Sequence, residues 1–467
     1  MTASTLTVTN PSTGETIALL KTDDRETALG KIDLAWQRYR DRGAWLPLHQ
    51  RIEILERLVR LMERDRDTYA QTIAAEGGKP LQDARVEADR AIAGVRIAIN
   101  VVSEDRGNVI PLGHQAASAG RLAFTQHFPR GVVLAFSAFN HPLNLIVHQV
   151  IPAFATGCPC VVKPAADTPM SCIKLVEAMY EAGVPEDYLQ YSITDDLGIA
   201  GEMVSSDKIA FFSFIGSARV GWMLRSQLHP GVRCALEHGG VAPCIVAGSA
   251  RLEIAVPAIT KGGYYHAGQV CVSTQRVYVH ESLHDLLIEA LSESVGGLVV
   301  GDASDPATEV GPLIRGAEVD RVEEWVDEAT SLGARIVTGG SRLEGNFFQP
   351  TLVLDAPRES RLGGQEVFGP VVCVYAYQQL EEALELANLH PHAFQASVFT
   401  QNIDTVHAAY QAFDASAVMV NDHTAFRDDA MPFAGLSASG LGVGGIPYTI
   451  EDMQFAKMMV MKQLQLN

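Results

Sequence analysis

From Gly131 onward, short apolar runs alternate with stretches of helical periodicity, and this alternation constrains the fold more than any other feature of the sequence. Alternation of strand and helix is typical of a parallel sheet that is covered by helices on both faces. We therefore predict an α/β fold built on a doubly wound sheet, with a ligand site at the carboxyl ends of its strands. The first predicted strands are Val132 to Phe136, Cys160 to Lys163, Leu189 to Ile193 and Ile209 to Phe214.

Length and composition agree with a large globular protein. The chain has 467 residues, more than one small hydrophobic core supports, so two or three lobes are expected. Its formal net charge of -19, with no basic cluster, disfavours nucleic acid and anionic membranes as partners. The longest apolar region, 131–162, is broken by Asn140, Pro142 and Pro152, so no membrane span is predicted.

The cysteines and the amino terminus bear on the compartment. The chain has seven scattered cysteines, an odd number that forms no disulfide framework for so large a protein. The first residues lack the basic region and the apolar core of a signal peptide. A soluble, cytoplasmic protein is therefore expected.

Three short motifs together predict a catalytic site. Cys271 ends a stretch of small and apolar residues, where a lone thiol is on general grounds most often a buried hydrophobe. Its company favours another interpretation, because Glu237 stands beside the Gly239-Gly240 pair and Asn140 lies in a non-helical turn before Pro142. A thiolate nucleophile, a carboxylate base and an amide donor to an oxyanion form a working set.

Two other positions favour a phosphate-containing cofactor. Lys163 closes a predicted strand, where its ammonium group can donate to a ribose hydroxyl or a phosphate. The segment from Gly216 to Gly221 joins a strand to a helix, and its free amides suit a pyrophosphate. This spacing is not the G-x-G-x-x-G fingerprint, so taken alone it is a weak signal, and a structural turn is the default interpretation.

These motifs, in this order, resemble the aldehyde dehydrogenase superfamily. The resemblance covers essentially the whole chain and is closest in appearance to the lactaldehyde, semialdehyde and sulfolactaldehyde types. The motifs are Asn10-Pro11-Ser12-Thr13-Gly14, Lys163-Pro164, Gly216 to Gly221, Glu237, Cys271, Glu366-Val367-Phe368-Gly369-Pro370, Pro432-Phe433 and Ser439-Gly440.

The resemblance implies a division into three parts. A Rossmann-like dinucleotide-binding domain takes residues 1–110 and 129–238, and an α/β catalytic domain takes 239–440. A small β arm, 111–128 and 441–467, packs against another subunit, so a homodimer or a homotetramer is expected. From the residues alone, an ordinary edge hairpin at 121–128 stays open.

The resemblance also implies the chemistry. Cys271 attacks an aldehyde to form a thiohemiacetal, with the Asn140 side chain and the Cys271 backbone amide as oxyanion donors, and NAD or NADP accepts a hydride. Glu237 then activates the water that hydrolyses the thioester. No metal is expected. The residues implied at the cofactor are Phe139, Lys163, Gly216, Ser217, Gly221, Glu366 and Phe368.

Departures from the family pattern concern the substrate and the choice of cofactor. Where many relatives have a tryptophan-lysine pair and a second carboxylate, this chain has His148-Gln149 and Gly444. Ala166 stands where NAD-preferring relatives have a glutamate, so NADP should be accepted beside NAD. The predicted substrate wall is polar and can hold an anion. It consists of His141, His148, Arg427 and Phe433.

Several alternatives stay open at this point. Arg427 could instead form a surface salt bridge with Asp428 or Asp429. A coenzyme A-acylating dehydrogenase would use the same nucleophile but typically lacks a glutamate at the position of Glu237. A catalytically silent structural member of the fold would be expected to have lost part of the Cys271, Glu237 and Asn140 set.

Overall fold

The computed structural model describes residues 4–462. Its helices are α1 (Arg25–Arg40), α2 (Leu48–Arg64), α3 (Arg66–Gly77), α4 (Leu81–Ser103), α5 (Asn144–Thr156), α6 (Met170–Ala182), α7 (Leu197–Val204), α8 (Ala218–Arg225), α9 (Leu252–Tyr264), α10 (His284–Gly296), α11 (Gly316–Ser331), α12 (Arg361–Gly364), α13 (Leu380–Asn388), α14 (Ile403–Ala412) and α15 (Ile446–Asp452).

The strands are β1 (Thr5–Thr9), β2 (Thr16–Lys21), β3 (Val109–Ile110), β4 (Arg121–Pro129), β5 (Val132–Phe136), β6 (Cys160–Lys163), β7 (Leu189–Tyr191), β8 (Ile209–Ile215), β9 (Arg233–Glu237), β10 (Pro243–Val246), β11 (Arg276–His280), β12 (Arg335–Thr338), β13 (Thr351–Leu354), β14 (Val371–Tyr377), β15 (His392–Ala393), β16 (Gln395–Phe399), β17 (Ala417–Val420), β18 (Leu436–Ser437), β19 (Gly440–Leu441) and β20 (Gln454–Lys462).

A six-stranded sheet forms the first half of the fold, with strand order β19-β9-β8-β5-β6-β7. The chain runs from β5 outward to β7 and then returns to β8 on the other side of β5, which is the doubly wound order. Both faces of the sheet are covered, since Val133 and Ala135 face one core and Val132, Leu134 and Phe136 the other. The predicted α/β fold with a doubly wound sheet is confirmed. The third strand ends at Tyr191, two residues earlier than predicted.

A seven-stranded sheet forms the second half, with strand order β12-β13-β14-β11-β10-β16-β17. All neighbours are parallel except β12 and β13. Cys244 and Val246 of β10 face one core and Ile245 the other, so this sheet is also buried on both faces. Cys271 lies on the connection that leads from α9 to β11.

A three-stranded antiparallel sheet, in the order β20-β4-β3, forms the arm. Its strand β3 lies before the predicted arm range 111–128 and pairs with β4. Within the predicted range 441–467, β19 pairs with β9 and α15 packs against α4 and α5. Only from Gln454 does the chain join the arm. Residues 1–3 and 463–467 of the predicted ranges lie outside the described residues, and the division into domains stays a prediction.

Two further observations concern the chain as a whole. All seven cysteines are free thiols. Among residues 4–462, none of the helices combines the length and the apolar character that crossing a bilayer requires.

Candidate active site

A cavity of about 670 Å³ joins the carboxyl ends of β5, β6 and β8 to the segment that carries Cys271. It lies at the switch point of the six-stranded sheet, between β5 and β8, where ligands bind in folds of this order. Thirteen of the fourteen predicted site residues line it. They are Cys271, Glu237, Asn140, Phe139, Lys163, Gly216, Ser217, Glu366, Phe368, His141, His148, Arg427 and Phe433.

A strained turn presents the thiol of Cys271. His266, Ala267 and Gly268 are consecutive residues with left-handed backbone, at φ 50°, 54° and 69°. Such conformations are costly for residues with a side chain and persist only where the surroundings hold them. A Cβ on Gly268 would lie 2.1 Å from the carbonyl oxygen of Gly369, so this position requires glycine. The turn fixes the path of the backbone that leads to Cys271.

Side-chain hydrogen bonds lock this turn in place. The Gln269 amide group donates to the carbonyl oxygens of His266 and Pro312 and accepts from the backbone nitrogen of Ile314, at 3.2, 3.2 and 2.9 Å. The buried side chain of Asn140 donates to the carbonyl oxygen of Gln269 at 2.9 Å. An amide nitrogen carries two hydrogens, so the second one remains available to Asn140 as an oxyanion donor.

Glu237 is the last residue of β9, and its carboxyl group occupies space that Gly444 leaves open because it has no side chain. A Cβ on Gly444 would lie 2.0 Å from Oε1 of Glu237. This arrangement requires a glycine at position 444 on steric grounds, because a carboxylate side chain there would displace that of Glu237. Burial raises the pKa of Glu237, and the charge of Arg427 opposes the rise. A carboxylate with a raised pKa is a better general base near neutral pH.

A second buried carboxylate, that of Glu366, lies against the glycine pair. Its Oε1 accepts from the backbone nitrogen of Gly240 at 3.1 Å, and a Cβ on Gly239 would lie 1.8 Å from Oε2. Burial raises the pKa of Glu366 to about 8. Burial also raises the pKa of the Cys271 thiol to about 12, and the charges of Glu237 and Glu366 add to that rise. The resting site therefore holds a protonated thiol.

The other end of the cavity fits a dinucleotide. Ser217 is the N-cap of α8 but its side chain makes no capping bond, so the first-turn N–H groups have no side-chain acceptor among residues 4–462. The hydroxyl of Ser137, which lines the cavity, is buried and likewise has no partner in that range. Lys163 lies over the Phe136 ring at 5.6 Å, and burial lowers its pKa. These donors suit phosphate and ribose oxygens.

Gly221 is the predicted cofactor residue that does not line the cavity. A Cβ there would lie 1.9 Å from Cε1 of His238, whose Nδ1 lies 3.0 Å from the carbonyl oxygen of Gly216. The structure therefore gives Gly221 a packing role, which is to let the His238 ring lie against α8. Direct contact of Gly221 with the cofactor stays a prediction.

The predicted substrate residues form one wall of the cavity near Cys271. The guanidinium carbon of Arg427 lies 3.4 Å from the centre of the Phe433 ring, and its Nη2 lies 3.4 Å from Nδ1 of His148. Among the described residues, no salt bridge joins Arg427 to Asp428 or Asp429, and Asp429 instead pairs with Arg90 at 2.7 Å.

Within residues 4–462, no carboxylate lies within salt-bridge distance of Arg427. His141 contacts the hydroxyl of Tyr265 at 3.2 Å, and burial lowers its pKa well below the usual range, so its ring is neutral.

A model of the family described as "Aldehyde dehydrogenase family" matches residues 1–459. The chain belongs to the aldehyde dehydrogenase family. It is 36% identical over 414 residues to a 3-sulfolactaldehyde dehydrogenase of Priestia aryabhattai, covering 88% of this chain and 86% of that protein. The family and the NAD(P)-dependent enzyme class predicted from the motifs are thus confirmed.

Two solved structures are similar over nearly their whole length. Aldehyde dehydrogenase 21 of Physcomitrella patens, in complex with the reaction product succinate, superposes with a TM-score of 0.95 at 32% identity and covers 100% of this chain and 96% of that one. Glyceraldehyde-3-phosphate dehydrogenase GapN of Methanocaldococcus jannaschii, complexed with NADP, gives 0.93 at 33% identity, with 98% and 99% covered. The cofactor of this aldehyde dehydrogenase is NAD or NADP.

Some residues of the aldehyde dehydrogenase site had no role in the sequence interpretation. The sequence gives Gln269 no predicted role, and it offers Asp429 only as an alternative surface partner of Arg427. Arg90 and Asn144 also line the cavity. The contacts that position them join segments from 43 to 339 residues apart in the sequence, and no local pattern marks these residues. In the described part of the chain, no group of three His, Cys, Asp or Glu side chains is arranged to hold a metal ion.

Proposed function

We propose that this aldehyde dehydrogenase oxidises a small aldehyde that carries an anionic group, and that it releases the free carboxylic acid. The observation that supports this proposal is the position of the Arg427 guanidinium group. It lies in the same cavity as Cys271 and has no carboxylate partner among residues 4–462. Arginine holds carboxylate, phosphate or sulfonate in paired hydrogen bonds. Two similar proteins, one named for sulfolactaldehyde and one bound to succinate, support this class of substrate.

The first half of the proposed reaction joins substrate and enzyme. The Cys271 sulfur bonds to the aldehyde carbon as the thiol gives its proton to solvent water, and the carbonyl oxygen becomes an oxyanion. The free N–H of Asn140 and the backbone N–H of Cys271 donate to that oxyanion. A nicotinamide held in this cavity would supply the acceptor for the hydride that leaves the former aldehyde carbon, and a thioester on Cys271 would remain.

The second half frees the acid. Glu237 accepts a proton from a water molecule as that water attacks the thioester carbon, and the carbon–sulfur bond then breaks to restore the thiol. The buried position and raised pKa of Glu237 support this role. They also count against the coenzyme A-acylating alternative, which needs no base for water.

Replacing Arg427 by alanine tests the anionic substrate class. The variant should lose roughly 2 to 4 kcal/mol of transition-state binding for an aldehyde with a terminal carboxylate or sulfonate, because a desolvated charge pair disappears. A neutral aldehyde of equal chain length should lose much less. Steady-state kcat/KM for both substrates measures the difference.

A second variant controls for packing in that experiment. Arg427→Met keeps an aliphatic side chain over the Phe433 ring but removes the charge. It should show the same selective loss as Arg427→Ala. Equal losses on charged and neutral aldehydes in both variants would make Arg427 a packing residue and contradict the proposal.

The choice between NAD and NADP is also open to test. Ala166 offers no carboxylate to repel a 2′-phosphate, and the neighbouring Asp167 carboxylate lies 3.4 Å from Arg315, which reduces its effective charge. We therefore propose that NADP is accepted beside NAD. Ala166→Glu should lower kcat/KM for NADP relative to NAD on the order of tenfold through like-charge repulsion.

The control for this change is Ala166→Gln, which adds the same length without charge. It should leave the ratio of NADP to NAD efficiency near that of the parent. A wild-type enzyme that strongly rejects NADP would contradict the proposal before either variant is made.

Association of subunits and cytoplasmic location also belong to the proposal. Consecutive apolar residues of β20, Met458 to Met461, are all exposed, so both faces of the arm sheet offer apolar surface. This supports a subunit contact in a homodimer or a homotetramer. The absence of disulfides among the cysteines agrees with a reducing compartment.

A further inference from the structure

Asp429 is a buried carboxylate that the proposed reaction does not use, and it is the centre of a hydrogen-bond network behind the substrate wall. Arg90 donates to both of its oxygens, from Nη2 at 2.7 Å and from Nε at 3.2 Å. Nδ2 of Asn144 lies 3.0 Å and Nε2 of His148 lies 2.7 Å from its Oδ1. The carboxylate therefore meets three donor groups from the α4 and α5 helices.

The charge state of this network follows from its contacts. Burial by itself would raise the pKa of Asp429, but the hydrogen bond from His148 and the charge of Arg90 hold it well below its usual range. Nδ1 of His148 lies 3.4 Å from Nη2 of Arg427, which can only donate, so Nδ1 must accept and the ring is neutral; burial, which lowers the pKa of His148, agrees with this. Arg90 and Asp429 cancel each other, and the remaining charge of this wall is that of Arg427.

The carboxylate also decides which nitrogen of His148 carries the proton. An ionised carboxylate only accepts, so Nε2 of a neutral His148 must donate to Asp429. Nδ1 is then left as an acceptor, and it faces Nη2 of Arg427 at 3.4 Å. With the opposite tautomer, an N–H would point at a guanidinium N–H, and the two donors would repel each other.

We propose that Asp429 is a positioning residue for recognition of the anionic substrate, acting through the tautomer of His148 on the guanidinium group of Arg427. The inference rests on the proposed function of Arg427. The guanidinium group donates one hydrogen bond to Nδ1 of His148 and lies against the face of the Phe433 ring, and both contacts hold it at the cavity that it lines. Asp429 thus sets substrate selectivity without touching the substrate.

Asp429→Asn tests this role because it keeps the shape and removes the negative charge that selects the Nε2–H tautomer of His148. Without that charge, the preference for a proton on Nε2 weakens, and the proton can occupy Nδ1, facing Arg427. The ratio of kcat/KM for an anionic aldehyde to that for a neutral aldehyde of equal length should fall on the order of tenfold. The loss should appear mainly as a higher KM for the anionic aldehyde.

A matched control is Glu76→Gln, which makes the same chemical change at another buried carboxylate. Glu76 accepts from the backbone nitrogens of Met170 and Ser171 at the start of α6 and does not line the cavity. Its loss should lower the melting temperature but leave the selectivity ratio as in the parent.

The decisive comparison is the same change in an Arg427→Ala background. If Asp429 acts through Arg427, Asp429→Asn should add no further loss of selectivity there. An equal fall of the ratio in both backgrounds, or no fall in the parent, overturns the positioning role. If Arg427→Ala itself leaves the ratio unchanged, the anionic substrate class fails and Asp429 loses its role with it.

Should Asp429→Asn not fold, His148→Phe tests the same link. Phenylalanine keeps the ring volume and removes the acceptor that faces Arg427. The selectivity ratio should again fall, and an unchanged ratio overturns the role. A second readout in Asp429→Asn is the imidazole ¹⁵N spectrum, where the His148 signals should shift from the Nε2–H towards the Nδ1–H tautomer.

Discussion

Replacing Cys271 by alanine should abolish aldehyde oxidation, with a loss of kcat on the order of 10⁴-fold or more. Among the residues that line the described cavity, Cys271 is the only one with a thiol, so without it no covalent adduct can form. Reduced cofactor, followed by its absorbance under saturating aldehyde, measures the loss. Binding of NAD(P) should persist, and quenching of the fluorescence of Trp325, which lines the cavity, can follow it.

Cys234→Ala is the matched control for that result. Cys234 is also a partly exposed thiol, on β9, but it does not line the cavity. The control should keep parental kcat. Substantial turnover by Cys271→Ala, with an unchanged KM for the aldehyde, would show that oxidation does not pass through this thiol.

Glu237→Gln should separate the two halves of the reaction. Acylation needs the thiol and the oxyanion donors, so a rapid burst of reduced cofactor, about one per active site, should remain. Steady turnover should then fall roughly 10²- to 10⁴-fold, because no general base activates the water. Stopped-flow absorbance measures both phases, and Glu76→Gln serves as the control with unchanged phases.

Two outcomes would contradict the division of labour between Cys271 and Glu237. An unchanged steady rate would remove Glu237 as the base for water, and a missing burst would show that it also serves acylation. The loss of the Glu237 charge in Glu237→Gln can also be measured independently of turnover. A neighbouring carboxylate raises the pKa of the Cys271 thiol, so its neutralisation should lower that pKa and speed alkylation by iodoacetamide at a given pH.

Much of the fold could be predicted because its signals are local. The alternation of β5, β6 and β8 with helices shows in the sequence as short apolar runs, and β4 shows as an alternating one. The boundaries between the predicted domains have no such local signal. Where α15 packs is decided by contacts with α4 and α5, hundreds of residues away, so the sequence of 441–453 alone does not distinguish arm from domain.

The site residues also divide into those that a local sequence motif marks and those that it does not. Cys271, Glu237 and Asn140 stand in short motifs with glycine or proline beside them, and the structure brings all three to one cavity. Asp429 has no such motif. The role proposed for Asp429 depends on Arg90, Asn144 and His148, which α4 and α5 bring around it. No short stretch of the sequence contains these residues together.

The two buried carboxylates of the candidate site each occupy the volume of a missing side chain, Glu237 at Gly444 and Glu366 at Gly239. This has a consequence for how the enzyme can evolve. Any mutation at those glycines inserts at least a methyl group where a carboxylate lies, so even alanine is a catalytic rather than a neutral change. The least tolerant positions of the site therefore include residues without functional groups, and a new substrate specificity is more accessible through the wall around Arg427 than through the glycines.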